Sequence, residues 1–236
     1  MNIVIVGAGR AGTSFARALG SIHQVGVVHH GDVEYFAADL VLLCVPDDVV
    51  AAVAAGLRVS ADTVVAHVAG SRGLDVLAPH RRVGSLHPLL TMPDAVRGAQ
   101  RLRGGIFCVE GDPLLNDVVT SLGGRTLRVR SEQRVLYHAT AASAANHLVA
   151  LLAQVQALAR GVGLELTDFL PLAQQALDDV VAEGPSRALT GAAARGDVAT
   201  IAAHLAALPE AERGLYLALS ERATRLAREP ELPWNA

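Results

Sequence analysis

The sequence predicts an α/β chain: a doubly wound, mostly parallel sheet followed by an all-α C-terminal domain. Three observations carry this. A β-branched run, Asn2-Ile3-Val4-Ile5-Val6, leads straight into Gly7-Ala8-Gly9-Arg10-Ala11-Gly12 and then a helix-like stretch ending at Leu19. Short apolar runs next alternate with helix-like stretches as far as Arg130, the pattern of parallel strands joined by crossovers. Beyond Arg130 only helical periodicity remains.

Strands are expected at 3–6, 25–28, 40–45, 63–68, 82–86, 106–110 and 126–129, with a helix at 48–56 after Pro46. The connection between 28 and 40 is short, so a full crossover helix barely fits there. Helices are expected near 132–160, 167–183, 186–194, 197–208 and 209–228. Thr167 and Asp197 read as N-caps and Pro209 as a first-turn proline. The domain boundary falls near 130, separating a nucleotide-binding domain, 1–130, from a helical substrate and dimerisation domain, 131–236.

The glycine turn is where chemistry first enters. Gly7 permits the tight turn, Gly9 lets backbone approach a pyrophosphate, and Gly12 lets the helix pack close to the strand. With Arg10 and Ala11, these residues open a helix whose free N–H groups and dipole favour a phosphate. Val45 and Pro46, at the end of another strand, are the further cofactor-binding candidates.

Composition narrows the function classes. The chain has 236 residues, a net charge of −3 and an apolar half rich in Ala, Val and Leu. That charge gives no global attraction to nucleic acid or an anionic membrane. Arg125, Arg128 and Arg130 alternate like a solvated strand face. Cys44 and Cys108 sit in apolar runs without metal-ligand spacing, as inert thiols of a reducing cytoplasm do, and no metal is expected. Met1 leads directly into the first strand, leaving no room for a signal peptide. The apolar stretch 139–158 carries Asn146, His147, Gln154 and Gln156, which favours a buried helix over a membrane span. All 20 basic residues are arginine, so no lysine acid, base or Schiff base is available.

Ligands of an open α/β sheet sit beyond the carboxyl ends of the strands. Three segments leave strands there: Val45-Pro46-Asp47-Asp48, His67-Val68-Ala69-Gly70-Ser71 and His87-Pro88-Leu89. Asp47 or Asp48 can cap the next helix. Gly70 and Ser71 can bring backbone and a hydroxyl to a nicotinamide or a substrate carboxylate. His67 and His87 read either as proton donors or as structural histidines bonded to loops. On the first helix of the second half, His138, Ala142 and Asn146 span about 12 Å along one broad side. His138 and Asn146 must find partners there or suffer desolvation, unless they face a ligand. Arg187, beside Ser186 and Thr190, can grip a carboxylate in bidentate fashion. Arg195 and Asp197 read as a local pair capping a helix.

Taken together, Gly7–Gly12, Val45-Pro46-Asp47-Asp48, His67 to Ser71, Ser85 to Leu89, Tyr137-His138-Ala139 with Asn146, Ala188-Leu189-Thr190-Gly191 and Arg195-Gly196-Asp197 resemble a family of bacterial two-domain proteins. Those proteins have a Rossmann-like N-terminal domain and an alanine-rich helical C-terminal domain, within the 6-phosphogluconate-dehydrogenase-like superfamily. Some relatives look like alternative ketopantoate reductases. The resemblance implies a cytoplasmic NAD(P)-dependent reductase of a small oxo acid. The hydroxyacid dehydrogenases of that superfamily carry a lysine one helical turn before an asparagine. Asn146 matches the asparagine, Ala142 stands at the lysine position, and His138 is the substitute proton donor. Ala69 and Ala192 stand where serine and proline are expected.

NADP is the expected cofactor, with NAD open, since no acidic residue ends the second strand. Arg10 can meet a 2′-phosphate, and Asp32 is the alternative contact to the ribose. Gly70, Ser71, His87 and Arg187 are the substrate-binding candidates. Two rivals stay open: a reductase of imines resembling pyrroline carboxylate reductases, and a nucleotide-binding regulatory protein without turnover. The alanine-lined helices suit either a homodimer or packing within one chain.

Overall fold

The computed structural model describes residues 1–29 and 35–228. After β1 (Asn2–Val6) and α1 (Arg10–Leu19) come β2 (Gln24–Val28), β3 (Tyr35–Phe36), β4 (Leu40–Leu43), α2 (Val50–Gly56), β5 (Arg58–Val59) and β6 (Val64–His67). A 3-10 turn (Leu74–Leu77), β7 (Val83–Pro88), α3 (Ala95–Leu102), β8 (Ile106–Gly111), α4 (Leu114–Ser121) and β9 (Arg125–Leu127) complete the sheet region. One seven-stranded sheet has the order β2-β1-β4-β6-β7-β8-β9. Every neighbouring pair in it is parallel except β7 with β8. The 28–40 connection holds β3, which pairs with β5 in a separate ribbon. His30, Gly31 and Asp32 lie outside the described residues.

β4 and β6 are buried at every position. Interior parallel strands flanked on both faces have no solvent side, so Leu40-Val41-Leu42-Leu43 reads as a continuous apolar run. On one face Ile3, Ile5, Leu40, Leu42 and Val64 pack against Phe15 and Leu19 of α1, Leu102 of α3 and Val118 of α4. On the other, Val41, Leu43 and Val65 pack against Val50 and Val53 of α2 and Leu77. Both faces are covered, which makes the sheet doubly wound.

Past β9 the chain is helical: a 3-10 turn (Ser131–Gln133), α5 (Arg134–Ala142), a π-helical turn (Ser143–His147), α6 (Leu148–Gly161), α7 (Leu166–Glu183), α8 (Pro185–Ala188), α9 (Gly191–Arg195), α10 (Val198–Ala207) and α11 (Glu210–Arg228). The two compact units are Met1–Ala145 and Asn146–Ala236. That division falls later than the change of character at 130, because α5 packs onto the sheet through the buried Arg134.

Several local expectations are corrected. The single helix at 132–160 is interrupted by the π turn, whose wider i→i+5 spacing shifts Asn146 out of α-helical register with His138. The helix 186–194 is two pieces, α8 and α9. α7 begins with Glu165 as N-cap rather than Thr167: Glu165 and Asp168 form a reciprocal capping box. Asp48 does not cap α2; Val49 occupies that position, and its N–H donates to the Pro46 carbonyl at 3.1 Å. Asp197 does cap α10, accepting from the Thr200 N–H at 3.0 Å.

The stretch expected as a buried helix is not buried within one chain. Gln154 and Ala159 are the buried residues of α6, while Val149 is 68% exposed. By length and composition alone, Ser131–Gly161 is long and apolar enough to cross a membrane.

Candidate active site

The chain runs from β1 outward to β2 and returns to β4 on the far side of β1, which makes the carboxyl ends of β1 and β4 a topological switch point. The glycine turn sits there, and its three glycines do different work. Gly7 has φ +109°, and a Cβ on it would lie 2.5 Å from the Cys44 carbonyl oxygen and 3.1 Å from Val45 Cγ1. A Cβ on Gly12 would collide with the Gly7 carbonyl. Gly9 is exposed, and a Cβ there meets nothing within 4 Å. Two glycines are thus needed by the protein's own packing, and the middle one leaves an open floor in front of the α1 N-terminus. The first N–H groups of α1 have no intrahelical acceptor, by helix geometry. Arg10 and Pro46 are exposed beside this floor.

A second cluster lies on the sheet at β7 and β8. Leu86, Phe107 and Val109 belong to the apolar core, so the period-two alternation turns Ser85, His87, Cys108 and Glu110 to the opposite face. Antiparallel register sets His87 against Cys108 and Ser85 against Glu110. α5 covers this polar face. Arg134, 1% exposed, donates from Nη1 to Glu110 Oε2 at 3.0 Å, and from Nη2 to Ser85 Oγ at 2.7 Å and to the Ala69 carbonyl at 3.1 Å. The Ser131 hydroxyl donates to the other Glu110 oxygen.

One helical turn on, the Tyr137 hydroxyl and His87 Nδ1 are hydrogen-bonded at 2.8 Å. The His138 and His87 rings meet edge to face with centroids 5.7 Å apart. Both rings lie against Gly70, where a Cβ would collide with His138 and stand 2.7 Å from His87 Nε2. The position where Gly70 was expected to admit a ligand is therefore taken by two imidazoles. They can approach the β6 loop because that residue has no side chain.

His67 is fully buried, and its Nε2–H donates to the Gly73 carbonyl at 3.1 Å. That leaves Nδ1 as a buried lone pair without a partner among the described residues. Burial lowers the His67 pKa. It is a structural histidine bonded to a loop. Burial pushes His87 down to about 4, with the nearby His138 and Arg134 adding in the same direction and Asp47 opposing them. At neutral pH, His87 is an uncharged imidazole. Asp47 accepts from the Ser71 hydroxyl at 3.2 Å, tying the ends of β4 and β6 together. Among the described residues no group of three or more His, Cys, Asp or Glu is placed to hold a metal ion.

Of the residues singled out from the sequence, the fold brings Gly7, Gly12 and Val45 together at one strand end, and Gly70, His87 and His138 at another. Asn146, exposed, opens the second compact unit, and the exposed Arg187 lies on α8 within that unit. Sequence reasoning missed Arg134, Tyr137, Glu110, Ser85 and Cys108 as neighbours of the histidines. The signal was available in the alternation of polar and apolar residues at 85–88 and 107–110, and in the one-turn spacing of Arg134, Tyr137 and His138.

A family model described as a domain of unknown function (DUF2520) matches residues 106–223, half of the chain, and a Rossmann-like domain model matches residues 24–93. No curated protein matches. Among solved structures, the chain is similar to a Bacteroides fragilis protein provisionally named an NADP oxidoreductase, with 24% identity, TM-score 0.79, and 95% of this chain and 98% of that one covered. A Thermotoga maritima protein matches with 19% identity, TM-score 0.74 and coverage of 96% and 98%. The pyrroline carboxylate reductase of Plasmodium falciparum, solved with NADP bound, matches with 10% identity, TM-score 0.61 and coverage of 96% and 98%. At these identities the similarity establishes the fold: a Rossmann-like sheet followed by a helical region. The chain belongs to the two-domain family described as DUF2520.

Proposed function

We propose that this chain is an NAD(P)-dependent reductase of a small oxo or imino acid, with NADP as its cofactor. The observation that carries the reading is the division of labour in the glycine turn, where Gly9 alone leaves an open floor at the topological switch point. Gly7, Gly9, Arg10, Ala11 and Gly12 would hold the pyrophosphate, with Val45 and Pro46 as the facing wall. The bound dinucleotide supplies hydride chemistry. The names of the Bacteroides and Plasmodium proteins support NADP.

In this reading His138 delivers a proton to the reduced group, a task suited to an imidazole. His87 and Ser71 contact the substrate. Asn146 and Arg187, which belong to the second compact unit, are the candidates for a substrate carbonyl and a substrate carboxylate. Ketopantoate is the first oxo acid to try. A pyrroline-carboxylate-type imino acid is favoured about equally, by the likeness to the Plasmodium reductase. A protonated imine needs no strong acid from the protein, so the absence of lysine suits it. The buried free thiols fit a cytoplasmic enzyme. We also infer a homodimer through the helical region, because Leu172 and Val198 are 65% and 73% exposed in the single chain.

The deciding experiment is fluorescence titration with NADPH and NADH, followed by a turnover screen over oxo acids and cyclic imino acids. Saturable binding and NADPH oxidation with one class support the reading and choose between its forms. Binding without turnover by any acid would turn the assignment toward a regulatory nucleotide-binding protein.

A further inference from the structure

His87 of β7 and Tyr137 of α5 share a hydrogen bond of 2.8 Å whose polarity can be read from the chemistry of its two members. The phenol can give its proton to a bare Nδ1, or its oxygen can accept from a protonated one. A neutral imidazole nitrogen is a stronger acceptor than a phenolic oxygen, and a phenol is a stronger donor than a neutral imidazole N–H. The Tyr137 O–H therefore goes to His87 Nδ1. A neutral imidazole that accepts at Nδ1 carries its proton at Nε2.

The surroundings reinforce this arrangement. His87 Nε2 has no hydrogen-bond partner among the described residues. Unlike His67 Nδ1 and Arg134 Nε, it is not a buried orphan atom. It stands over Gly70 beside the His138 ring. His138, Arg134 and His67 disfavour a second proton on His87, while Asp47 favours one. Desolvation is the largest influence, and it keeps the ring neutral.

From this geometry we propose that Tyr137 is a positioning residue: it holds His87 as the Nε2–H tautomer, so that β7 presents a fixed, uncharged N–H donor beside His138. The ligand group it fits is a hydrogen-bond acceptor, a carbonyl or carboxylate oxygen, and not a second donor. This deepens the reductase reading and rests on it for the identity of the ligand. The tautomer itself is a property of the free protein.

The test is two-bond proton–nitrogen correlation NMR on the protein without cofactor or substrate, with the His87 signals assigned by comparison with His87→Gln. The wild type is expected to show a single His87 species at pH 7, protonated at Nε2 and bare at Nδ1. Tyr137→Phe keeps the edge-on ring contact but removes the donor. It should convert His87 to a mixture of tautomers and raise its titration midpoint by about one unit. Cys108→Ala, at the register partner of His87, should preserve the wild-type tautomer. A wild-type His87 protonated at Nδ1, or doubly protonated at pH 7, overturns the proposal even if Tyr137→Phe does not fold. An unchanged tautomer in folded Tyr137→Phe does the same. None of these readouts uses turnover, so a failed substrate screen and a failed tautomer assignment are distinguishable.

Discussion

Arg134 Nη1 lies 3.0 Å from Glu110 Oε2, and the guanidinium is 1% exposed while the carboxylate side chain is 21% exposed. This ion pair joins α5 to β8, and the same guanidinium reaches Ser85 on β7 and the Ala69 carbonyl beyond β6. One side chain thus ties the helix bearing His138 to three strand ends. Removing it leaves Glu110 and Ser85 without their main partner in a largely buried place. Arg134→Met should cost about 3 kcal/mol by urea unfolding, in the range for breaking a buried pair. Arg134→Lys should recover little, because an ammonium cannot span the fork. Unfolding midpoints equal to wild type for both variants would show that α5 is held by something else.

The glycine turn allows a contrast within one motif. Gly9→Val should still fold, with at most a modest fall in melting temperature from the poorer N-cap, since a Cβ there meets nothing within 4 Å, and should lose NADPH binding. Gly12→Ala should instead destabilise the fold, because its Cβ runs into the Gly7 carbonyl. Unchanged cofactor affinity in folded Gly9→Val would remove the nucleotide site from this turn.

At the adenosine end, Arg10→Ala should weaken NADPH roughly tenfold by isothermal titration, through loss of a charge-assisted contact, and leave NADH nearly unchanged. Equal losses for both cofactors would mean that Arg10 meets the pyrophosphate, and tighter NADH than NADPH binding by the wild type would reverse the preference.

His138→Ala should lower kcat and kcat/KM together by roughly 10²–10⁴-fold with cofactor affinity intact. His138→Gln should stay slow, because an amide delivers no proton. His67→Ala is the control that reports on stability rather than chemistry, given its burial and its bond to Gly73. A near-wild-type rate for cofactor-loaded His138→Ala would move the proton donor to His87 or to water.

Stability should fall with acidification in a defined window. Folding lowers the His87 pKa from 6.5 to about 4 and lowers that of His67 as well. Between those values the unfolded chain binds more protons than the native one, so stability rises with pH there and is lost as pH falls from 6.5 toward 4. Melting temperatures across that range should decline, and His87→Gln should flatten part of the decline. A His87→Gln profile parallel to wild type would show that this ring contributes nothing to the slope.

Much of this protein is determined locally. The run from Asn2 to Gly12 carries its own instructions: β-branched residues for a buried parallel strand, then glycines at the positions where φ, packing and ligand approach each demand one. All seven strands of the main sheet and the switch to helices after 130 follow from periodicity, because burial on one or both faces imposes its repeat on neighbouring residues. The Asp197 cap is equally local. Tertiary structure decided the rest. His87, Cys108 and Tyr137 are far apart in sequence, and only the antiparallel turn of β8 and the docking of α5 make them neighbours. The boundary moved for the same reason: Arg134 looks like one more surface arginine until its partners Glu110, Ser85 and Ala69 are known. A hydrogen bond between distant residues leaves no periodic trace in the chain, so the nucleotide turn was legible and the polar face beside it was not.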